Sequence, residues 1–213
     1  PVEIDLSSYL KAAEKEIPKS YSGKNEQCEG VSTAYSIKRD DIKFSGSGNK
    51  IGYEVGGQLK LKINYCPKCQ TLTDEKGSCI IPRVYVSCGE NEPMRKFSLK
   101  YSTAVKVNSD YTFKTTTNLQ KFELLDPCEL TIANIDVTTD VEKEITKQLK
   151  VLEREIDKQF SAIDIKSTAK ESWKLLQEPT EIPGYGYLSL APSSLAISEF
   201  KFSGKKASFN FNI

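Results

Sequence analysis

Six cysteines carry the clearest chemical potential in this 213-residue chain: Cys28, Cys66, Cys69, Cys79, Cys88 and Cys128. Cys66-Pro67-Lys68-Cys69 has the spacing of a metal knuckle or a redox pair. Cys66, Cys69, Cys79 and Cys88 together offer four thiolates to a tetrahedral zinc ion, but Cys79 and Cys88 lack the matching short spacing. No thioredoxin-like βαβ pattern surrounds the motif, which argues against a redox role. The reading adopted is disulfides, with no metal and no cofactor. Two would staple a hairpin around a turn at Asp74–Gly77, with Cys28 and Cys128 as a further candidate pair. The sequence does not choose among the possible pairings.

Histidine is absent. That excludes Ser-His-Asp triads, Cys-His dyads and His-ligated zinc within the chain. Acidic neighbours such as Asp40-Asp41 and Glu153/Glu155 read as solvated charges, because nothing sets two acids across a cleft. Gly46, Gly48 and Gly52 miss the spacing of a phosphate-binding loop, and a strand rather than a helix follows them, so they read as a hairpin turn. No residue qualifies as catalytic, and the chain is expected not to be an enzyme. With 30 basic and 29 acidic residues the net charge is +1, and the cations are dispersed, so nucleic acid is not an expected partner.

The elements that position these residues follow from periodicity. Leu6, Tyr9, Leu10, Ala13 and Ile17 form one helical face, capped by Asp5 or Ser7 and ended by Pro18. Ile51, Tyr53, Val55, Leu59, Leu61, Ile63 and Tyr65 alternate with small or polar residues, the pattern of a strand with one wet face. Such a strand would run about 50 Å at about 3.3 Å per residue. Gly56-Gly57 in its middle predicts a bulge or bend. A second alternating run, Phe97 to Val107, turns at Asn108–Asp110 and resumes at Tyr111. A third, Ala196 to Phe202, turns at Gly204-Lys205 and resumes at Ala207, which predicts a C-terminal hairpin.

Between these runs Val141, Ile145, Leu149, Leu152, Ile156, Phe160 and Ile163 recur roughly every 3.7 residues, close to the helical period. Thr139 and Glu142 suggest a capping box. The pattern breaks near Asp164, and a shorter helix runs from Ala169 to Leu176, ending before Pro179. A helix of about 25 residues, about 38 Å long, matches strands of similar length. Residues 1–213 read as one α+β domain, a long curved antiparallel sheet wrapped around a long amphipathic helix.

The even cysteine count points to an exported protein of the periplasm or cell envelope, and the absence of Asn-x-Ser/Thr sites leans toward a bacterial one. The chain opens at Pro1 without Met, and is read as a mature chain whose targeting segment is missing.

Trp173-Lys-Leu-Leu176-Gln-Glu-Pro179, then Pro183, then Tyr187-Leu188-Ser-Leu190-Ala-Pro192, together with the opening Pro1-Val-Glu-Ile-Asp-Leu6, carry a resemblance. The chain resembles a family of uncharacterised exported bacterial proteins (domain of unknown function 4403). That family is similar to the tubular lipid-binding (TULIP) superfamily, which includes the bactericidal/permeability-increasing protein. The resemblance implies a sheet curled around a long helix, with an apolar groove between them for acyl chains. It therefore implies lipid or another apolar ligand as the partner. The lining would come from Ile145, Leu149, Leu152 and Ile156 on the helix and from Tyr53, Val55, Leu59, Leu61, Leu99 and Tyr101 on the sheet. The alternative is a structural or interaction module of the envelope, with the same fold, a closed core and a protein partner.

Overall fold

The computed structural model describes residues 2–69, 78–130, 135–194 and 196–212. The turn expected at Asp74–Gly77 lies outside them. In chain order the elements are β1 (Val2–Asp5), α1 (Ser7–Glu16), β2 (Ser20–Asn25), β3 (Gly30–Arg39), β4 (Lys43–Gly48), β5 (Lys50–Cys66), β6 (Val84–Cys88), β7 (Arg95–Val107) and β8 (Phe113–Leu124). There follow α2 (Thr138–Ser161), α3 (Ile165–Gln177), β9 (Thr180–Ile182), β10 (Gly186–Leu188), β11 (Ala196–Ile197), β12 (Lys201–Ser203), β13 (Lys206–Phe209) and β14 (Phe211–Asn212). The architecture is α+β: a strongly curled antiparallel sheet, a half-barrel, with one long bent helix.

β5 is the spine of the ten-stranded sheet. Its 17 residues pair on one side with β3 and then β4, and on the other with β6 and then β7. The expected bulge at Gly56-Gly57 does not form, and pairing runs in register through both residues. Gly57 serves close packing instead. A Cβ there would sit 2.6 Å from Cζ of Phe97 and 2.5 Å from the Lys38 carbonyl oxygen, so only glycine lets the Phe97 ring lie across the spine. The irregularity falls between β7 and β8 at Lys100/Tyr101, where Gln120 has no opposite residue. This shift brings Leu119 and Phe122 onto one face. The turn expected over Ser45–Lys50 is tighter than the glycines suggest, since Lys43–Gly48 is strand and Ser47 already pairs with Lys50. The C-terminal hairpin forms as expected, β12 against β13 around Gly204 at φ 59°.

α1 ends at Glu16, as Pro18 dictates, and Asp5 Oδ1 accepts the Ser7 N–H. Leu6, Leu10 and Glu14 face inward, whereas Tyr9, Ala13 and Ile17 of the expected face are exposed. Glu14 is inward because Arg39 holds it. The guanidinium pairs with Glu14 Oε1 at 2.6 Å and also donates to the carbonyls of Glu14, Ile17 and Pro18. One planar donor fork thus satisfies the open carbonyl end of α1 and ties it to the end of β3.

α2 lies along β8, an edge strand whose outer N–H groups have no strand partner. Three acids on α2 accept them. Glu142 takes the Leu124 N–H at 2.7 Å, Glu153 takes that of Leu119 at 2.8 Å, and Asp157 takes both the N–H and the hydroxyl of Thr117. The geometry is commensurate. Eleven helical residues rise about 16 Å, and the five strand residues from Leu119 to Leu124 span about the same. The helix therefore runs antiparallel to β8 and replaces a neighbouring strand. This overturns two expectations. Glu153 is not a solvated charge, although Glu155 is, in an exposed pair with Lys158. Thr139 and Glu142 form no capping box, because Glu142 is engaged on β8. The helix begins at Thr138, whose hydroxyl accepts the Cys128 N–H.

Two small cores result. Leu59, Cys88, Phe97, Cys128 and Val141 are buried at one end of α2, and Val105, Phe202 and Ala207 near the C-terminal hairpin. All six cysteines are paired: Cys28–Cys69, Cys66–Cys79 and Cys88–Cys128, with Cα separations of 5.6, 5.8 and 5.4 Å. Cys66–Cys79 is the local staple expected from the sequence. The candidate pair Cys28–Cys128 does not form, nor does a second local staple. Cys88 ends β6 beside the spine, and Cys128 is the buried residue that faces it.

Replacing Asp157 with Ala leaves the Thr117 N–H unmatched and should cost about 2 kcal/mol in denaturant unfolding, whereas Glu155→Ala should stay within about 0.5 kcal/mol. Replacing Cys88 and Cys128 together with Ala opens a 40-residue loop. It should cost about 3 to 4 kcal/mol, read as a lower unfolding midpoint under non-reducing conditions.

Candidate functional site

The sheet presents one apolar face, and its residues can be followed strand by strand. On β5 the odd positions from Ile51 to Tyr65 share it. Across the pairing they meet Val31, Thr33, Tyr35 and Ile37 of β3, Val84, Val86 and Cys88 of β6, and Phe97, Leu99, Tyr101 and Thr103 of β7. The other face carries Lys60 and Lys62, both paired with Glu90, and the Glu54–Lys100 pair. α2 sits on the apolar face: the Tyr101 hydroxyl donates to the Leu149 carbonyl at 2.8 Å, and Val141 packs with Leu59, Cys88 and Phe97.

A helix is about 10 Å across and strands lie about 4.8 Å apart, so one helix covers about two strands. Held to the edge of β8 by its acids, α2 spends that width on β7 and β8. The same face also continues along the strands past the amino end of α2, which is level with Gly57 and Leu59, and there it is open. Val31, Tyr35, Tyr65 and Val84 are between 43% and 51% exposed. The whole chain exposes 14,530 Å². A folded monomer of its mass exposes about 9,900 Å².

The expected lining residues divide along this geometry. Tyr53 lies opposite Tyr101, and Val55 opposite Leu99. Leu59 and Tyr101 are buried, while Tyr53, Val55, Leu61, Leu99, Ile145, Leu149 and Ile156 are half-buried. Leu152 departs from the expected buried stripe, being 47% exposed, and so does Ile163, at the helix's far end. The reason is angular. At 100° per residue, Glu153 and Asp157 form the flank of α2 that clasps β8, Glu142 shares the direction of Phe160, and Leu149 lies beside these toward the sheet. Val141, Ile145, Leu152 and Ile156 form the opposite flank. At Val141 the first core closes over that flank; at Leu152 nothing does.

Polar groups interrupt the face beneath the second half of α2. Thr103 and Thr117 share a hydroxyl hydrogen bond of 2.8 Å, and Thr117 continues it to Asp157. The buried Tyr53 hydroxyl lies beside Thr103 without a hydrogen bond of good geometry, and the Thr115 hydroxyl is likewise unmatched. Burial pushes the Tyr53 pKa up, helped by the Asp157 charge. Burial, with Glu153 nearby, pushes that of Tyr101 up as well. Both phenols therefore stay neutral donors. Sequence reasoning missed this polar strip and the three clasping acids. Their signal was the 142–153–157 spacing, which places acids on one helical face beside an apolar stripe.

Among the described residues no group of three or more Cys, Asp or Glu is placed to hold a metal ion, and no helix is long and apolar enough to cross a membrane. Three disulfides fit an oxidising, extracellular environment.

The angular reading has a direct check. Leu149→Ala should cost about 2 kcal/mol in denaturant unfolding, and Leu152→Ala less than about 0.5 kcal/mol.

Comparison with curated proteins finds no match, and comparison with solved structures finds none either. A family model described as Domain of unknown function (DUF4403) matches residues 1–213, the whole length of the chain, which belongs to that family.

Proposed function

We propose that this protein binds lipid or another apolar ligand without chemistry, in a groove between α2 and the open part of the sheet's apolar face. The observation that carries this reading is the off-centre helix. The apolar face continues onto β5 past the two strands α2 covers, and Leu152, level with Tyr53, has half its surface exposed. Each acyl CH₂ moved there from water gains about 0.8 kcal/mol, so a long chain has a large incentive to enter. Ile145, Leu152 and Ile156 would form the helix wall, and Tyr53, Val55, Leu61 and Leu99 the floor. The unmatched Tyr53 and Thr115 hydroxyls would take a polar group of the ligand, which suits an amphiphile better than a plain hydrocarbon. The likeness to the tubular lipid-binding superfamily belongs to this proposal, as does a place in the bacterial envelope.

A second reading is supported by the small hairpin β9–β10. Tyr185, Tyr187 and Leu188 stand exposed on it, and aromatic residues of this kind anchor protein interfaces. In that reading the chain is an interaction module of the envelope.

Native mass spectrometry of periplasmically expressed protein, with mass analysis of an organic extract, decides between them. The expected result is a stoichiometric lipid adduct that survives washing, and that Leu152→Glu abolishes without lowering the unfolding midpoint. A clean apo mass, with no uptake from added vesicles, would sink the lipid reading in favour of the interaction module.

A further inference from the structure

A second site lies away from this groove, where α3 meets the tip of the β7–β8 hairpin. Tyr111 from the hairpin, Lys166, Ala169, Lys170 and Trp173 from α3, and Ser194 surround an open cleft of about 290 Å³. Residues 166, 169, 170 and 173 are the i, i+3, i+4 and i+7 positions of one helical face. The walls are apolar: an indole, a phenol ring, a buried alanine methyl and the methylene stems of two lysines. Both lysines are exposed, so their ammonium groups reach water at the mouth.

One of these residues sits where local physics disfavours it. Tyr111 is the one non-glycine residue with positive φ among the described residues, at 61°. The turn demands it: the Asn108 N–H donates to the Thr112 carbonyl at 2.9 Å and the Tyr111 N–H to that of Asn108 at 3.1 Å. Glycine or asparagine suits this left-handed position, and a bulky ring there costs about 1 to 2 kcal/mol. Lys166 is in the first turn of α3, beside the N-cap Asp164, whose carboxylate already accepts the Ser167 N–H and hydroxyl. Asp110 and Asp164 are nearby acids, but their carboxyls are held low first by hydrogen bonds from Thr112 and Ser167, with Lys166 a smaller contributor. A costly backbone conformation retained at the wall of a cleft is a mark of a site kept for binding.

We propose that this cleft captures an amphiphilic monoanion, a small apolar body bearing a single carboxylate or phosphate. The body would stack on Trp173 and Tyr111 over Ala169, and the anion would be met by Lys166 and Lys170 at the mouth. The proposal does not depend on the groove, because no residue is shared between the two sites.

Trp173 is the single tryptophan of the chain and reports directly on the cleft. Its fluorescence is titrated with monomeric octanoate and octyl phosphate, with octanol as a neutral control. The expected result is a saturable change with both anions. Octanol, or the anions against Lys166→Gln/Lys170→Gln, should bind at least about tenfold more weakly. Tyr111→Gly should weaken binding while keeping or raising the unfolding midpoint, since it relieves the strained position. Equal binding of octanol would overturn anion recognition. No response to either monomer would overturn the site, as would a response only to phosphatidylglycerol vesicles, which would mark surface attachment instead. A Tyr111→Gly variant that lowers the midpoint and binds normally would reduce the tyrosine to a packing role. Leu152→Glu should leave the signal unchanged, so failure of the groove and failure of the cleft are separable.

Discussion

An edge strand carries a row of backbone donors that something must satisfy, and here that demand fixes where the long helix lies. β8 would template a further strand if its outer N–H groups were bare. Glu142, Glu153 and Asp157 meet them, at intervals that match the rise of a helix to that of a strand. Carboxylates are strong acceptors, and hydrogen bonds to charged groups contribute about 1.5 to 3 kcal/mol each. A helix so held cannot also lie along the middle of the sheet. Its off-centre position is a consequence of satisfying the edge.

That placement makes stability a matter of staples as much as of core. Among the described residues the two buried clusters contain five and three residues, which is small. Cys88–Cys128 ties the end of β6 to the segment that leads into α2, so the helix entry is fixed covalently as well as by the Thr138 cap on the Cys128 N–H. Cys28–Cys69 and Cys66–Cys79 hold the start of β3 and the end of the spine, next to Val31, Tyr65 and Val84. The disulfides thus cluster where the apolar face is least covered. Cross-links act there on the unfolded chain and do not require the face to be buried.

Element type was readable in the sequence wherever one face is buried. The alternation Ile51 to Tyr65 became the spine, and the stripe from Val141 became α2, because burial enforces period. Readings failed where a tertiary partner outweighed the local signal. Glu142 looked like a capping residue, and Leu124 on β8 claimed it. Gly56-Gly57 looked like a bulge, and the Phe97 ring claimed the space. The cysteine connectivity depends on the sheet order, and sheet order arises from long-range pairing that no local motif encodes. Leu152 was read as a groove-lining residue, but which flank of the stripe it lies on was not legible, because a stripe read from sequence has no left and right. Which flank faces the edge and which faces the opening is settled by the acids, and they looked like ordinary surface charge.

The polar strip beneath α2 follows from the same asymmetry. Beneath α2 three contacts match polar groups: Thr103 with Thr117, Thr117 with Asp157, and Tyr101 with the Leu149 carbonyl. The unmatched hydroxyls are those of Tyr53 and Thr115. A buried hydroxyl without a partner costs about 1 to 3 kcal/mol, and a phenylalanine or valine would remove that cost with little change of shape. A hydrophobic core gains nothing by retaining them, whereas a groove that must orient an amphiphile needs donors that are neutral, desolvated and not already engaged. Their unspent hydrogen-bonding capacity is thus the feature of this face that a purely structural role leaves without a reason.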